Sequence, residues 1–340
     1  MDNRSTPSTV ESKGQASCET AGNRFVKMIF LVMTSIFAFN SLNNKLAFLF
    51  ITFYAIAVGI LAGFIKEKKY AVIIIPVIAS FCCYPHFQFF VPALLFMILL
   101  AFLCSSYLKD RPGQFAFFTM CALMYSMAAV GAGVLVAVQY FGSVETCLDA
   151  VTKYAVSAAE LLYNNIPERV IANVSAEDLS SLKEAYLSAA KQVVYLLPSA
   201  LVISSMYAAF LTKRTLTMTL GGKKKLPVLF SSPYYPPAVL AIGYMILSFF
   251  GILFALSSEE AYYIYMNLMA VLGVVFAYVG LVEYVSVLLR PVHPKQRVVY
   301  VVMGIIVVGF LTMSAFSILA YFGVCRAIFS RVRVIRITKK

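Results

Sequence analysis

Nine apolar stretches separated by short polar connections constrain this chain more tightly than any motif in it. A helix needs about 20 mostly apolar residues to cross roughly 30 Å of hydrocarbon, where water cannot satisfy the backbone. The stretches are Phe25 to Phe39, Leu46 to Ile65, Tyr70 to Tyr84, Phe87 to Tyr107, Phe115 to Phe141, Val193 to Leu211, Ala238 to Leu256, Tyr262 to Leu289 and Val298 to Val324. They predict an all-α fold: a polytopic transmembrane helical bundle of about eight to ten membrane segments, the first and third runs being short. Of the 340 residues, 61% are hydrophobic and only 13% charged, against roughly 25% charged in soluble domains. A soluble core could not hide that much apolar surface.

The net charge of +13 would suggest nucleic acid in a soluble protein, but here the bases lie in clusters between apolar runs. Lys and Arg beside spans stay in the cytoplasm. Lys66, Lys68 and Lys69, then Lys109 and Arg111, then Lys213, Arg214 and Lys223 to Lys225, then Arg290, Lys295 and Arg297 therefore mark cytoplasmic loops. Pro85 to His86, Gly142 to Lys191 and Ser257 to Glu260 are neutral or acidic and are expected outside. Aromatic residues such as Phe87, Tyr140, Tyr234 and Tyr262 gather at the edges, as an interfacial belt requires. Nine single spans would put the basic tail of residues 326–340 outside. Either the last run breaks near Gly309 to Ser314 and returns the tail to the cytoplasm, where anionic lipid would hold it, or it is one tilted helix. Residues 1–23 are polar, carry no signal-peptide pattern and are expected to be a disordered cytoplasmic tail. The expected membrane is a bacterial plasma membrane, and the expected division is an N-terminal bundle (24–141), a helical insert (142–191) and a C-terminal bundle (192–325).

The insert has helical periodicity. Val144, Cys147, Val151, Tyr154, Ala158 and Leu161 share one face, Pro167 interrupts, and Leu179, Leu182, Tyr186 and Ala190 continue beyond a second acidic start at Glu177 and Asp178. This predicts an extracytoplasmic helical hairpin, either a cap over a cavity or an interfacial connector.

Few residues carry chemistry. Glu283 is the only acid deep inside an apolar run, and such a charge is costly unless it binds a cation, relays a proton, snorkels or pairs, for which Arg290 on the same face is available. Asn267, earlier in that run, is either a second substrate-binding residue or a hydrogen-bonding partner for another helix. Small residues recur at four-residue spacing: Ala55, Gly59 and Gly63; Ala128 and Ala129 with Ala132 and Gly133; Ala200, Ser204 and Ala208. Such rows let backbones approach, inside one bundle or against a partner subunit. The seven cysteines form no CxxC pair, the two histidines His86 and His293 have no metal-ligand spacing, and Gly221, Gly222 and Lys223 lack the GxxxxGK[ST] spacing. No cofactor, metal centre or enzymatic activity is expected.

The second half resembles the YybS-like family of bacterial membrane proteins, a domain of unknown function. The resemblance rests on Leu196-Leu197-Pro198-Ser199, on Leu226-Pro227 through Phe230 to Pro236-Pro237, on Met266-Asn267-Leu268, and on Gly280 and Gly323. The chain departs from that family at Val279, where a Gln is usual, and at Arg326 and Ser330, where acids are usual. The resemblance implies a distant kinship with the substrate-binding S-components of energy-coupling-factor transporters, which borrow ATPases from partner chains. The function implied is a substrate-binding transporter subunit with a membrane coupling subunit and ATPases as partners. A membrane scaffold or regulator and a proton-coupled carrier using Glu283 are the other two readings.

Overall fold

A computed structural model describes residues 21–43, 46–82, 87–107, 114–166, 176–220, 236–289 and 317–328, all of them in helices or short turns. In chain order the helices are α1 (Ala21–Asn43), α2 (Ala47–Lys66), a 3-10 turn (Tyr70–Ile73) leading into α3 (Ile74–Cys82), α4 (Phe87–Tyr107), α5 (Gln114–Phe141), α6 (Val144–Asn164), α7 (Ala176–Tyr195), α8 (Leu197–Thr219), α9 (Ala238–Ala255), α10 (Glu259–Leu289) and α11 (Ser317–Ile328). Helices α1, α2, α5, α9 and α10 are each long and apolar enough to cross a membrane, and the bent pair α7 and α8 makes a sixth candidate. The protein is a multi-pass membrane protein built as a helical bundle.

Local chemistry explains the boundaries. α2 stops where Lys66 meets Glu67 and where Lys68 adopts φ 61°, a left-handed conformation that ends the helix. Gly142 at φ 77° turns the chain sharply after α5, a conformation that favours glycine, and Ser143 then caps α6 by accepting a hydrogen bond from the Thr146 amide at 3.1 Å. Pro198 sits in the first turn of α8, where its missing N–H costs nothing. The sixth apolar run, expected over Val193 to Leu211, is broken by this proline: the chain bends 54° between α7 and α8, and α8 continues to Thr219. The third run is a 3-10 turn plus a nine-residue helix, too short to span alone. Most of the ninth run lies outside the described residues, including Gly309 to Ser314, and so do residues 329–340.

Two apolar cores form. The larger joins α1, α2, α4, α5 and α8 through side chains such as Leu31, Phe39, Leu61, Leu100 and Leu216, and the smaller joins α9, α10 and α11 through Tyr244, Phe276, Ala320 and Val324. α8 thus packs with helices of the first half of the chain. α6 and α7 lie against each other, with the Tyr163 hydroxyl donating to the Leu179 carbonyl at 3.2 Å and the rings of Tyr163 and Tyr186 meeting edge-on. The α7 face is the expected one, since Ala190 is buried and Leu179, Leu182 and Tyr186 are half-buried. On α6 the packed face is rotated toward Ala159 and Tyr163, leaving Tyr154 78% and Leu161 63% exposed.

Contacts between helices fix their directions. α2 and α8 run the same way, with Ala55 opposite Thr212, Gly59 opposite Thr215 and Gly63 opposite Thr219. α1 runs against them, so that Lys27 donates to the Thr219 carbonyl at 2.5 Å, a cation closing a helix C-terminus. α10 runs parallel to α8, with Asn267 beside Ser199 and Tyr278 beside Phe210. α11 crosses α10 closely: Gly280 lies against Leu319 and Gly323, Gly323 lies against Phe276 and Gly280, and Arg326 meets Glu283. One end of the bundle therefore collects Arg24, Lys27, Lys66, Lys68, Lys69, Lys213 and Arg214. The opposite end carries Glu145, Glu259 and Glu260.

Candidate functional site

α2, α4, α5 and α8 surround a cavity of about 620 Å³, within the size range of small-molecule sites, roughly 300–1,000 Å³. Phe50, Ile51 and Tyr54 line it from α2, Pro92, Ala93 and Phe96 from α4, and Leu201, Ser204, Ser205 and Ala208 from α8. α5 contributes the longest wall, from Tyr125 through Ala128, Ala129 and Ala132 to Gln139.

The end nearer the basic pole is closed by a hydrogen-bonded floor. Thr212 Oγ1 donates to the Ala55 carbonyl at 3.1 Å, which uses its single proton, so the Tyr125 hydroxyl donates to Thr212 at 2.7 Å. The Tyr54 hydroxyl donates to the Ala93 carbonyl at 2.7 Å, and its ring meets that of Tyr125 edge-on. The two tyrosines tie α2 to α4 and α5 to α8. Below them, Cys104 on α4 and Cys121 on α5 are fully buried, with sulfurs 3.5 Å apart.

The small-residue rows divide between two roles. Ala55, Gly59, Gly63 and Ala208 lie between α2 and α8; a methyl on Gly59 would come within 2.7 Å of the Thr212 carbonyl oxygen and of Thr215, and one on Gly63 would collide with Thr219. That is close packing inside one chain. Ser204 and Ala208 also line the cavity, whereas Ala200 is exposed. On α5, Ala128, Ala129 and Ala132 do not bring a helix closer; their small side chains leave the space that is the cavity.

Asn267 and Glu283 are both engaged within the chain, and neither lines the cavity. Asn267 spans the break between α7 and α8: its Oδ1 accepts from the Ser199 amide, and its Nδ2 donates to the carbonyls of Tyr195 and Tyr263, each at 2.9 Å. The Ser199 amide and the Tyr195 carbonyl are groups that helix ends leave without an intrahelical partner, whereas the Tyr263 carbonyl belongs to the helix that carries Asn267. Tyr195 and Tyr263 stack beside it with centroids 3.8 Å apart. Glu283 is 7% exposed and forms a 2.9 Å ion pair with Arg326 of α11; the Arg290 that sequence spacing suggested lies outside the described residues. Among the described residues, no group of three His, Cys, Asp or Glu side chains is placed to hold a metal ion.

The cavity tyrosines and Thr212 carried no signal in the sequence that distinguished them from other residues in apolar runs. No family model, no curated protein and no solved structure matches this chain.

Proposed function

We propose that the protein is a substrate-binding membrane subunit that takes a small molecule into the α2–α4–α5–α8 cavity and depends on other chains for energy. The observation that carries this reading is the cavity itself: a space of about 620 Å³ with a hydrogen-bonded floor at one end and an exposed wall at the other. In this reading the basic pole faces the cytoplasm, and α6 with α7 forms the extracytoplasmic hairpin, docked where α5 ends and α8 begins. The short α3 and the 21-residue α4 complete a count of eight to ten membrane segments. The setting is a bacterial plasma membrane, and the distant kinship with S-components implied by the YybS-like resemblance supplies the partners: a membrane coupling subunit and ATPases.

Purification of the full chain in mild detergent, with mass spectrometry of co-purifying polypeptides, tests this directly. Recovery of a membrane subunit together with ATPases is the expected result; recovery of the chain alone, or with unrelated soluble proteins, would count against it. A scaffold or regulatory role draws on the clustered bases at one pole, which suit anionic lipid headgroups. The proton-coupled carrier is disfavoured by the Arg326 partner, which gives the Glu283 charge a structural use.

A further inference from the structure

Helices α2, α5 and α8 close three sides of the cavity, because α8 packs on both α2 and α5 and α2 packs on α4. The fourth side is the gap between α4 and α5. These two meet at Cys104 and Cys121, deep toward the basic pole, while nearer the other pole Pro92, Ala93 and Phe96 face Ala128 to Val136 only across the cavity. At this gap Gly131 and Ala132 are exposed, and a methyl group placed on Gly131 would meet no atom within 4 Å. The opening therefore faces sideways, where the bilayer lies.

The chemistry of the lining is as informative as its shape. No lining residue is charged, and the polar ones are Tyr54, Tyr125, Ser204, Ser205 and Gln139. Each hydroxyl already spends its proton: Tyr54 on the Ala93 carbonyl, Tyr125 on Thr212, Ser204 on the Ala200 carbonyl and Ser205 on the Leu201 carbonyl. A polar solute would find no free donor along most of the wall, and its own buried polar groups would go unpaired at about 1–3 kcal/mol each. Gln139, exposed at the outer rim, is the one side chain in the lining with both a donor and an acceptor to offer. From Tyr125 to Gln139 the wall runs about 21 Å at ~1.5 Å per residue. Spread over that length the volume gives a slot about 30 Å² in mean cross-section, long and narrow, and longer than the roughly 15 Å of one leaflet's hydrocarbon.

We infer that the site takes an uncharged lipid with a single long hydrocarbon chain, admitted from the bilayer between α4 and α5, its chain along α5 and its polar head beside Gln139. This rests on the cavity being the ligand site and adds the class of ligand and its route.

The test uses the full-length chain in detergent and in phosphatidylcholine nanodiscs. A 16-carbon alcohol carrying a diazirine in its chain is photolysed with the nanodiscs, and labelled peptides are mapped. Labelling concentrated at Phe96, Leu135 and Leu201 is expected, reduced at least fivefold by Ala132→Trp, which fills the slot, and unchanged by Gly133→Trp, which adds bulk on the same helix outside the lining. Both variants are checked for unaltered thermal unfolding; if Ala132→Trp fails to fold, Ala128→Phe replaces it. Diffuse labelling insensitive to these variants would overturn the inference. In parallel, native mass spectrometry of the chain exposed to the unmodified alcohol or to a mixture of water-soluble B vitamins separates the two levels of the claim. A vitamin bound in the wild type and lost in Ala132→Trp would overturn the lipid assignment while leaving the cavity as the site, and binding of neither would overturn both.

Discussion

Glu283 illustrates what a single residue discloses and what it withholds. Its place in an apolar run marked it as costly, and Arg326, 43 positions away on α11, meets it with an opposite charge. At about 1.5 Å per residue, Glu283 lies some 7.5 Å beyond Tyr278, which is within electrostatic range of Arg214, so the pair sits near the basic pole and not at mid-membrane. Removing one partner strands the other, which for a buried pair costs about 3–5 kcal/mol, whereas replacing both with neutral groups is often close to neutral. Arg326→Ala should therefore lower the thermal midpoint in detergent sharply, and the double variant Glu283→Gln with Arg326→Gln should recover most of the loss. A double-mutant cycle with no coupling between the two positions would overturn that account. The charge was legible in the sequence because its cost is local; its partner was not, because sequence spacing ranks neighbours on one helix and is blind to a helix that returns alongside.

At the scale of elements, the joint between α7 and α8 shows how a proline break is held. A 54° bend exposes carbonyls at the end of one helix and amides at the start of the next, and Asn267 supplies one acceptor and one donor to this region from α10, its second donated bond staying within α10. The break was partly legible, since Pro198 stands inside the expected sixth span, yet the hydropathy of the run is continuous across it and the bend was not anticipated. Asn267→Ala should cost about 1–3 kcal/mol through the Ser199 amide alone and should loosen α7 relative to α8, visible as broadened spin-label distances between the two helices. Asn267→Asp keeps the acceptor but sets a negative charge beside two carbonyl oxygens, so it should be at least as destabilising as Ala. Equal stability of Asn267→Asp and the wild type would show that the two donated bonds contribute nothing. The same limit governs the small-residue rows: spacing alone announced close approach, and it was right between α2 and α8, while on α5 identical spacing makes an open wall because the helix that would fill it stands away.

For the whole molecule, counting apolar runs could not fix the side of the C-terminal end, because parity fails when runs are short, bent or paired. Direction read from contacts does better. α10 runs toward the pole of Arg214, and the ion pair with Glu283 holds Arg326 of α11 beside the part of α10 nearer that pole. Arg326, two residues before the end of α11, therefore lies toward the same pole as the ends of α2 and α8. That pole holds Arg24, Lys27, Lys66, Lys68, Lys69, Lys213 and Arg214, and the bias of Lys and Arg toward the cytoplasm gives it a side. In a background with the seven native cysteines replaced, single cysteines at Lys69, Leu220 and Ile328 should be spared by a membrane-impermeant maleimide applied to intact cells and react once the membrane is opened. Cysteines at Gly142, Asn165 and Ser257 should react from outside. Because Ile328 reports on α11 independently of the other two inner positions, its labelling from outside, with Lys69 and Leu220 still protected, would mean that the end of α11 does not lie at this pole. The Glu283–Arg326 pair would then have to be abandoned as the guide to the side on which this end lies.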